Sequence, residues 1–257
     1  MRRFSTSVSM MWRDLPIAER FAAAKAAGFI GAEIQVPAEA EPEVWAAAAA
    51  DSGLPILLVN LDMGDFLVGG VGLSGVPGRE DAFADALERG IELVRSTGAG
   101  LLHIGPSRVA DGQDRAACLE TYLGNLALAQ RAVRDLPVTL VVEAVNRAEA
   151  PTALIGTTAE AAEAIERVGQ EVRLLFDLYH SVMAGEDPVE SYRLHAGMVA
   201  HIQFSDIPRR TPPGTGTLDF AGLFKAIEGQ GYDGAYGAEY MSLAATQETL
   251  GWMVRLQ

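Results

Sequence analysis

The chain has 257 residues, and 20 basic against 34 acidic side chains leave a formal charge of −14. Its length suits one large domain or two small ones, and an apolar content of 49% supplies a sizeable core and excludes wholesale disorder. The charge repels phosphate backbones and anionic membranes, so neither nucleic acid nor a membrane is an expected partner; a small-molecule substrate is. A single cysteine cannot form an internal disulfide, which fits a reducing, cytoplasmic setting. The start Met1-Arg2-Arg3-Phe4 is basic but runs into serines and Arg13, unlike a signal peptide, and no stretch reaches the roughly 18 apolar residues of a membrane helix.

Short β-branched or apolar runs alternate with longer Ala-rich stretches at helical spacing. Residues 4–9 read as a strand and 17–27 as a helix stopped by Gly28; 32–36 and 42–52 follow, with Pro42 suited to a first helical turn. The continuous apolar run 56–61 suits a strand buried on both faces, and a Gly-rich loop, 62–78, separates it from a helix at 81–97. Strand 101–104 pairs with helix 115–135, and strand 138–143 with helix 158–168, capped by Thr157 or Thr158. Strand 172–177 precedes helix 188–195, strand 199–204 precedes helix 220–230, and strand 234–239 precedes a closing helix at 246–256. Eight such units predict a parallel sheet closed into a (β/α)8 TIM barrel, one α/β domain spanning residues 1–257.

Two features point away from chemistry. Gly70-Val71-Gly72-Leu73-Ser74-Gly75 matches a dinucleotide fingerprint, but the glycines neither follow a strand directly nor open a helix, and Pro77-Gly78 intervenes. A mobile loop over the barrel mouth is the expectation there. Cys118 has no paired cysteine or nearby histidine and reads as a packing residue.

The strand ends carry the argument. The fifth strand ends on Glu143, the sixth on Asp177 and the eighth on Glu239, and the seventh contains Gln203. Barrel enzymes place their chemistry on the C-terminal rim. Three carboxylates buried so close together are costly without a cation, and an all-oxygen set favours a hard divalent ion, Mg²⁺ or Mn²⁺. His180 opens the loop after Asp177, and His201 shares the inward face of Gln203, where a hydrogen-bonded core histidine is the competing assignment. Arg209 and Arg210 follow the seventh strand, where an arginine can clamp a substrate carboxylate through parallel hydrogen bonds.

The segments Asn60-Leu61 to Gly78-Arg79-Glu80, Glu143-Ala144-Val145-Asn146, Asp177-Leu178-Tyr179-His180, His201-Ile202-Gln203-Phe204-Ser205-Asp206, Pro213-Gly214-Thr215-Gly216 and Glu239-Tyr240 resemble the hydroxypyruvate isomerase family. That family includes 2-oxo-tetronate isomerases and belongs to the xylose-isomerase-like barrels. The resemblance spans nearly the whole chain. It implies that Glu143, Asp177, Gln203 and Glu239 bind the metal and that Glu143 and Glu239 are the proton-transfer pair. It also implies that His180 and an arginine near Arg209 hold substrate oxygens; His201 and Asp206 join the expected substrate-binding set. The implied reaction is aldose–ketose isomerisation through a cis-enediolate. A ketose 3-epimerase and a non-catalytic sugar-binding relative are the alternatives on the same scaffold. The family's charged pair in the first glycine-rich loop is replaced by Gly69-Gly70-Val71-Gly72, and Thr217 and Met241-Ser242 stand at other changed rim positions, which leaves room for a less charged or bulkier substrate. Related barrels commonly pair, leaving a homodimer or higher homo-oligomer open. A metal-dependent phosphodiesterase would want more than this chain's four histidines and a basic groove.

Overall fold

In the computed structural model, which describes residues 1–169 and 171–257, the eight short runs form eight strands. They are β1 (Phe4–Ser7), β2 (Gly31–Ile34), β3 (Ile56–Asn60), β4 (Leu101–His103), β5 (Thr139–Glu143), β6 (Val172–Asp177), β7 (Val199–Phe204) and β8 (Tyr236–Ala238). Each pairs in parallel with the next, and β8 returns to β1 through Phe4↔Tyr236 and Thr6↔Ala238, so the barrel closes and no edge is left.

Ten helices surround it: α1 (Ile17–Ala26), α2 (Pro42–Ser52), α3 (Glu80–Thr97), α4 (Arg115–Val133), α5 (Thr158–Val168), α6 (Leu178–Met183), α7 (Pro188–His195), α8 (Phe220–Glu228), α9 (Thr246–Thr249) and α10 (Gly251–Leu256), counted among the described residues. Pro42 opens α2, Thr157 caps α5 by accepting from the Glu160 N–H, and α3 ends where Gly98 turns to φ 69°. Two elements depart from the expected pattern. Helix α6 begins directly on Asp177, whose side chain accepts from the Tyr179 N–H at 2.8 Å and so starts a turn without a loop. The expected helix 246–256 divides into α9 and α10 at Leu250.

The main core lies between sheet and helices. Trp252 of α10 meets Phe4 edge-on at 5.1 Å and Phe204 at 5.4 Å, and each such buried aromatic contributes roughly 1.5–3 kcal/mol relative to exposure. Inside the barrel a second, small apolar group of Leu58, Val141 and Leu175 forms a floor. Further along the strands the inward positions turn polar. Among the described residues no helix is long and apolar enough to cross a membrane.

The Gly-rich loop after β3 is tied down. Asp65 accepts from the Gly72 N–H at 2.8 Å, and Arg108 donates to the carbonyls of Phe66 at 2.6 Å and Gly70 at 2.7 Å. Gly75 donates to Ser107 Oγ at 2.8 Å, and a Cβ there would lie 2.6 Å from a Leu154 methyl. The glycines therefore serve loop packing, and α3 starts only at Glu80. Cys118 is fully buried in the main core.

Candidate active site

Glu143 and Asp177 are the last residues of β5 and β6, Gln203 is one before the end of β7, and Glu239 directly follows β8. All lie at the C-terminal rim, and all are at most 7% exposed. Asp177 and Gln203 are register partners, so both point inward at one level. The β7–α8 loop delivers Arg210, whose backbone sits in the left-handed region at φ 50°, an unusual setting for a bulky side chain. Its guanidinium lies 3.0 Å from Glu239 Oε1, donates to Asp177 Oδ2, stands 3.0 Å from His180 Nε2 and covers the Tyr179 ring at 4.8 Å. Tyr179 in turn donates to Glu149, and its hydroxyl oxygen lies 3.0 Å from the Pro208 carbonyl.

One buried cation thus stands among three carboxylates, and the charges respond. Burial, then the charges of Asp177 and Glu239, pushes Glu143 well above the usual carboxyl range. Burial lifts Glu239 to about 7 despite Arg210, helped by Asp177 and Glu33. Asp177 is also raised by burial, against the pull of Arg210 and of the Tyr179 and His180 N–H groups. For Arg210, burial alone would favour the neutral form, but Glu239, Asp177 and Glu143 outweigh it and raise its pKa.

The sign of this linkage is testable. Glu239 rises from 4.5 to about 7 on folding, so its contribution to stability is fully present below 4.5 and is lost as pH climbs to about 7. In chelator-treated protein, Glu239→Gln removes the titration. Its melting temperature relative to wild type is expected to climb across that window, and a constant difference would refute the assignment.

The residues suit a divalent cation. Single donor atoms of Glu143, Asp177 and His180 lie within 4.8 Å of one another, and Glu143 Oε1 is buried with no hydrogen-bond partner. An orphaned buried carboxylate oxygen costs free energy unless a ligand satisfies it.

Several participants escaped the sequence pattern. His103, ending β4, places Nδ1 3.0 Å from Asn60 Oδ1 and Nε2 3.6 Å from Glu143 Oε2. The Asn60 amide nitrogen faces the Gln35 carbonyl at 3.4 Å, so its oxygen faces His103 and the proton belongs on Nδ1. Burial pushes His103 down to about 3, so it is neutral, with a bare Nε2 lone pair turned toward Glu143. Glu33 of β2, fully buried, accepts from Ser5 Oγ at 2.6 Å and Gln203 Nε2 at 2.7 Å, and meets His201 Nε2 at 2.7 Å. Burial raises Glu33, but the attraction of His201 and the bonds from His201, Ser5 and Gln203 prevail and hold it below the usual range. A carboxylate in the fully buried strand Gly31-Ala32-Glu33-Ile34 is the signal that could have found it.

Of the expected residues, the cluster gathers Glu143, Asp177, Glu239, His180 and Arg210, with Gln203 level with Asp177. It does not gather the others. His201 is held by Glu33 inside the barrel. Asp206 accepts from the backbone N–H groups of Ile207, Gly214, Gly216 and Leu218, which makes it the anchor of the Pro213–Gly216 loop. Arg209 is exposed and lines an open cleft of about 670 Å³ with Met241, Leu243 and Arg255.

Residues 21–256 match the family of xylose isomerase-like TIM barrels. The 2-oxo-tetronate isomerase of Cupriavidus necator is 32% identical over 254 residues, covering 98% of each chain. The hydroxypyruvate isomerase of Escherichia coli is 29% identical, again over 98% of each. A crystal structure named as an AP endonuclease of family 2 from Brucella melitensis has a TM-score of 0.93 at 30% identity over the whole of both chains. The closed barrel, the carboxylates on its rim and these full-length similarities agree: the chain belongs to the xylose isomerase-like TIM barrels, and within them to the hydroxypyruvate isomerase family.

Proposed function

We propose that the chain is a divalent-metal-dependent isomerase of a small α-hydroxycarbonyl compound of the hydroxypyruvate or 2-oxo-tetronate kind. The observation that carries this reading is the buried group of Glu143, Asp177 and His180, whose donor atoms lie within 4.8 Å of one another, joined to Glu239 through the Arg210 guanidinium. Glu143, Asp177, Gln203 and Glu239 would hold Mg²⁺ or Mn²⁺ through oxygen, as hard cations prefer. When bound, the ion polarises the carbonyl and neighbouring hydroxyl of the substrate and so acidifies the C–H bond between them. One glutamate of the pair Glu143 and Glu239 removes that proton, leaving a cis-enediolate. The same glutamate or the opposite one returns a proton to the adjacent carbon while the hydroxyl proton passes to the former carbonyl oxygen, converting ketose to aldose. Without a bound ion, burial holds Glu239 at about 7, and a cation beside it would favour the carboxylate form that takes the substrate proton.

His180 and Arg210 orient the substrate. The Asn146 backbone N–H points at His180 Nδ1 at 3.3 Å while Arg210 points at Nε2. Burial, Arg210 and His103 keep the ring neutral, and a neutral imidazole accepts at one nitrogen only. A substrate oxygen between Nε2–H and the guanidinium accepts from both and removes the conflict.

The names of the relatives from Cupriavidus necator and Escherichia coli support isomerisation over 3-epimerisation. The name of the Brucella melitensis structure suggests phosphodiester chemistry, but a chain of charge −14 with three carboxylates in its cluster repels a nucleic acid backbone. The test is NMR in D₂O with Mg²⁺ or Mn²⁺ and a panel of hydroxypyruvate, 2-oxo-tetronates and short ketoses. Deuterium is expected to enter the carbon next to a carbonyl in at least one compound and to stop entering on chelation. No exchange across the metal-loaded panel would refute the reading.

A further inference from the structure

We infer that Glu33 is a positioning residue: from inside the barrel it holds the Gln203 amide nitrogen, so that the amide oxygen faces the carboxylate cluster. The inference rests on the proposed metal site and adds a residue that lies outside it. Gln203 shares its level with Asp177, but an amide can present either oxygen or nitrogen to a cation, and only oxygen can ligate. Its nitrogen lies 2.7 Å from Glu33 Oε2. A carboxylate there accepts and cannot donate, so the nitrogen is committed and the oxygen is the free end.

Glu33 is itself held on several sides. Ser5 donates to Oε1 at 2.6 Å and His201 Nε2 stands 2.7 Å from the same oxygen, while the Gln35 amide approaches Oε2 at 3.5 Å. A Cβ on Gly237 would lie 2.2 Å from Glu33 Oε1, so β8 leaves room for this carboxylate by having no side chain there. The β2–β3 register shifts between Ala32 and Glu33. Strands β1, β2, β7 and β8 thus converge on one buried group with no contact to the reacting atoms. Partners that orient a ligand from behind commonly govern metal affinity by about 10–100-fold.

Glu33→Gln tests this with little change in shape. The new amide oxygen still accepts from Ser5 and His201, but the new NH₂ faces Gln203, which turns over to accept and presents its own NH₂ to the cation. Mn²⁺ titration of chelator-stripped, full-length protein by calorimetry is expected to show affinity about 10–100-fold weaker, with unfolding in EDTA close to wild type. Adding Gln203→Glu to Glu33→Gln restores a donor–acceptor pair with its polarity reversed and again offers oxygen, so affinity returns to wild type or better. Unchanged affinity in Glu33→Gln, or a loss the double variant does not recover, would overturn the inference while leaving the isomerase reading intact. Wild-type protein that binds no Mn²⁺ would refute the metal reading and this inference together, and the deuterium-exchange assay would then judge the isomerase reading separately.

Discussion

Glu239→Gln is expected to lower deuterium incorporation and turnover by about 10²–10⁴-fold, the usual contribution of a general acid–base. The amide keeps the length of the side chain and can still accept from Arg210, which lies 3.0 Å from Oε1. What it loses is the ability to take a proton at neutral pH. In the metal-free protein burial holds that carboxyl at about 7, and a cation beside it would favour the carboxylate form that serves as base. Because Glu239 also belongs to the proposed cation site, the measurement has to be made at saturating Mn²⁺, with affinity determined separately. A variant whose turnover stays near wild type under those conditions removes Glu239 from proton transfer. Glu143→Gln should lose activity by the same mechanism. There the orphaned Oε1 and the His103 lone pair near Oε2 add a second effect, because an NH₂ turned toward Nε2 gains a partner that the ionised carboxylate lacks.

Much of this site was legible because a carboxylate at the end of an apolar run is expensive unless it faces the rim. Glu143, Asp177 and Glu239 each end such a run, and strand periodicity sufficed to aim them at one mouth. Groups placed by long-range register were not legible. Glu33 meets Gln203 across the barrel, a pairing that depends on closure between β8 and β1. Helix α6 was missed because its start is the catalytic-rim Asp177 itself, whose side chain serves the Tyr179 N–H instead of a separate cap residue. Arg209 and Arg210 are neighbours of identical chemistry, and no local rule tells them apart. The choice is made by a left-handed backbone at Arg210, φ 50°, and by the Met241 N–H bonded to its carbonyl at 2.8 Å, which turn one arginine inward and leave the other in the outer cleft. The Gly70–Gly75 pattern shows the converse case, a motif whose glycines answer to packing against Ser107 and Leu154.

Arg210→Ala is the substitution expected to cost most stability in the absence of metal. Removing one partner of a buried ion pair typically costs about 3–5 kcal/mol, because the charge left behind has neither water nor a counter-ion. Here Asp177 and Glu239 lose their direct partner and Glu143 loses a nearby cation. For a domain of this size each kcal/mol moves the melting temperature by about 2–4 °C, which makes the loss easy to read in EDTA. The carboxyls should respond by holding protons more tightly, so the loss is smaller at low pH and grows as pH rises. Arg210 holds Asp177 Oδ2 and Glu239 Oε1, and the cation site proposed above would draw on the same two carboxylates. On the proposed ligand set, binding in wild type would have to displace the guanidinium, whereas in Arg210→Ala the oxygens would already be free. The same free Mn²⁺ concentration should therefore raise the melting temperature further in the variant than in wild type, since binding stabilises by about 2.7 kcal/mol at 100 times Kd and by more as Kd falls. An equal or smaller shift would mean that Arg210 and the ion do not compete, and that the cation site lies away from the oxygens Arg210 now holds.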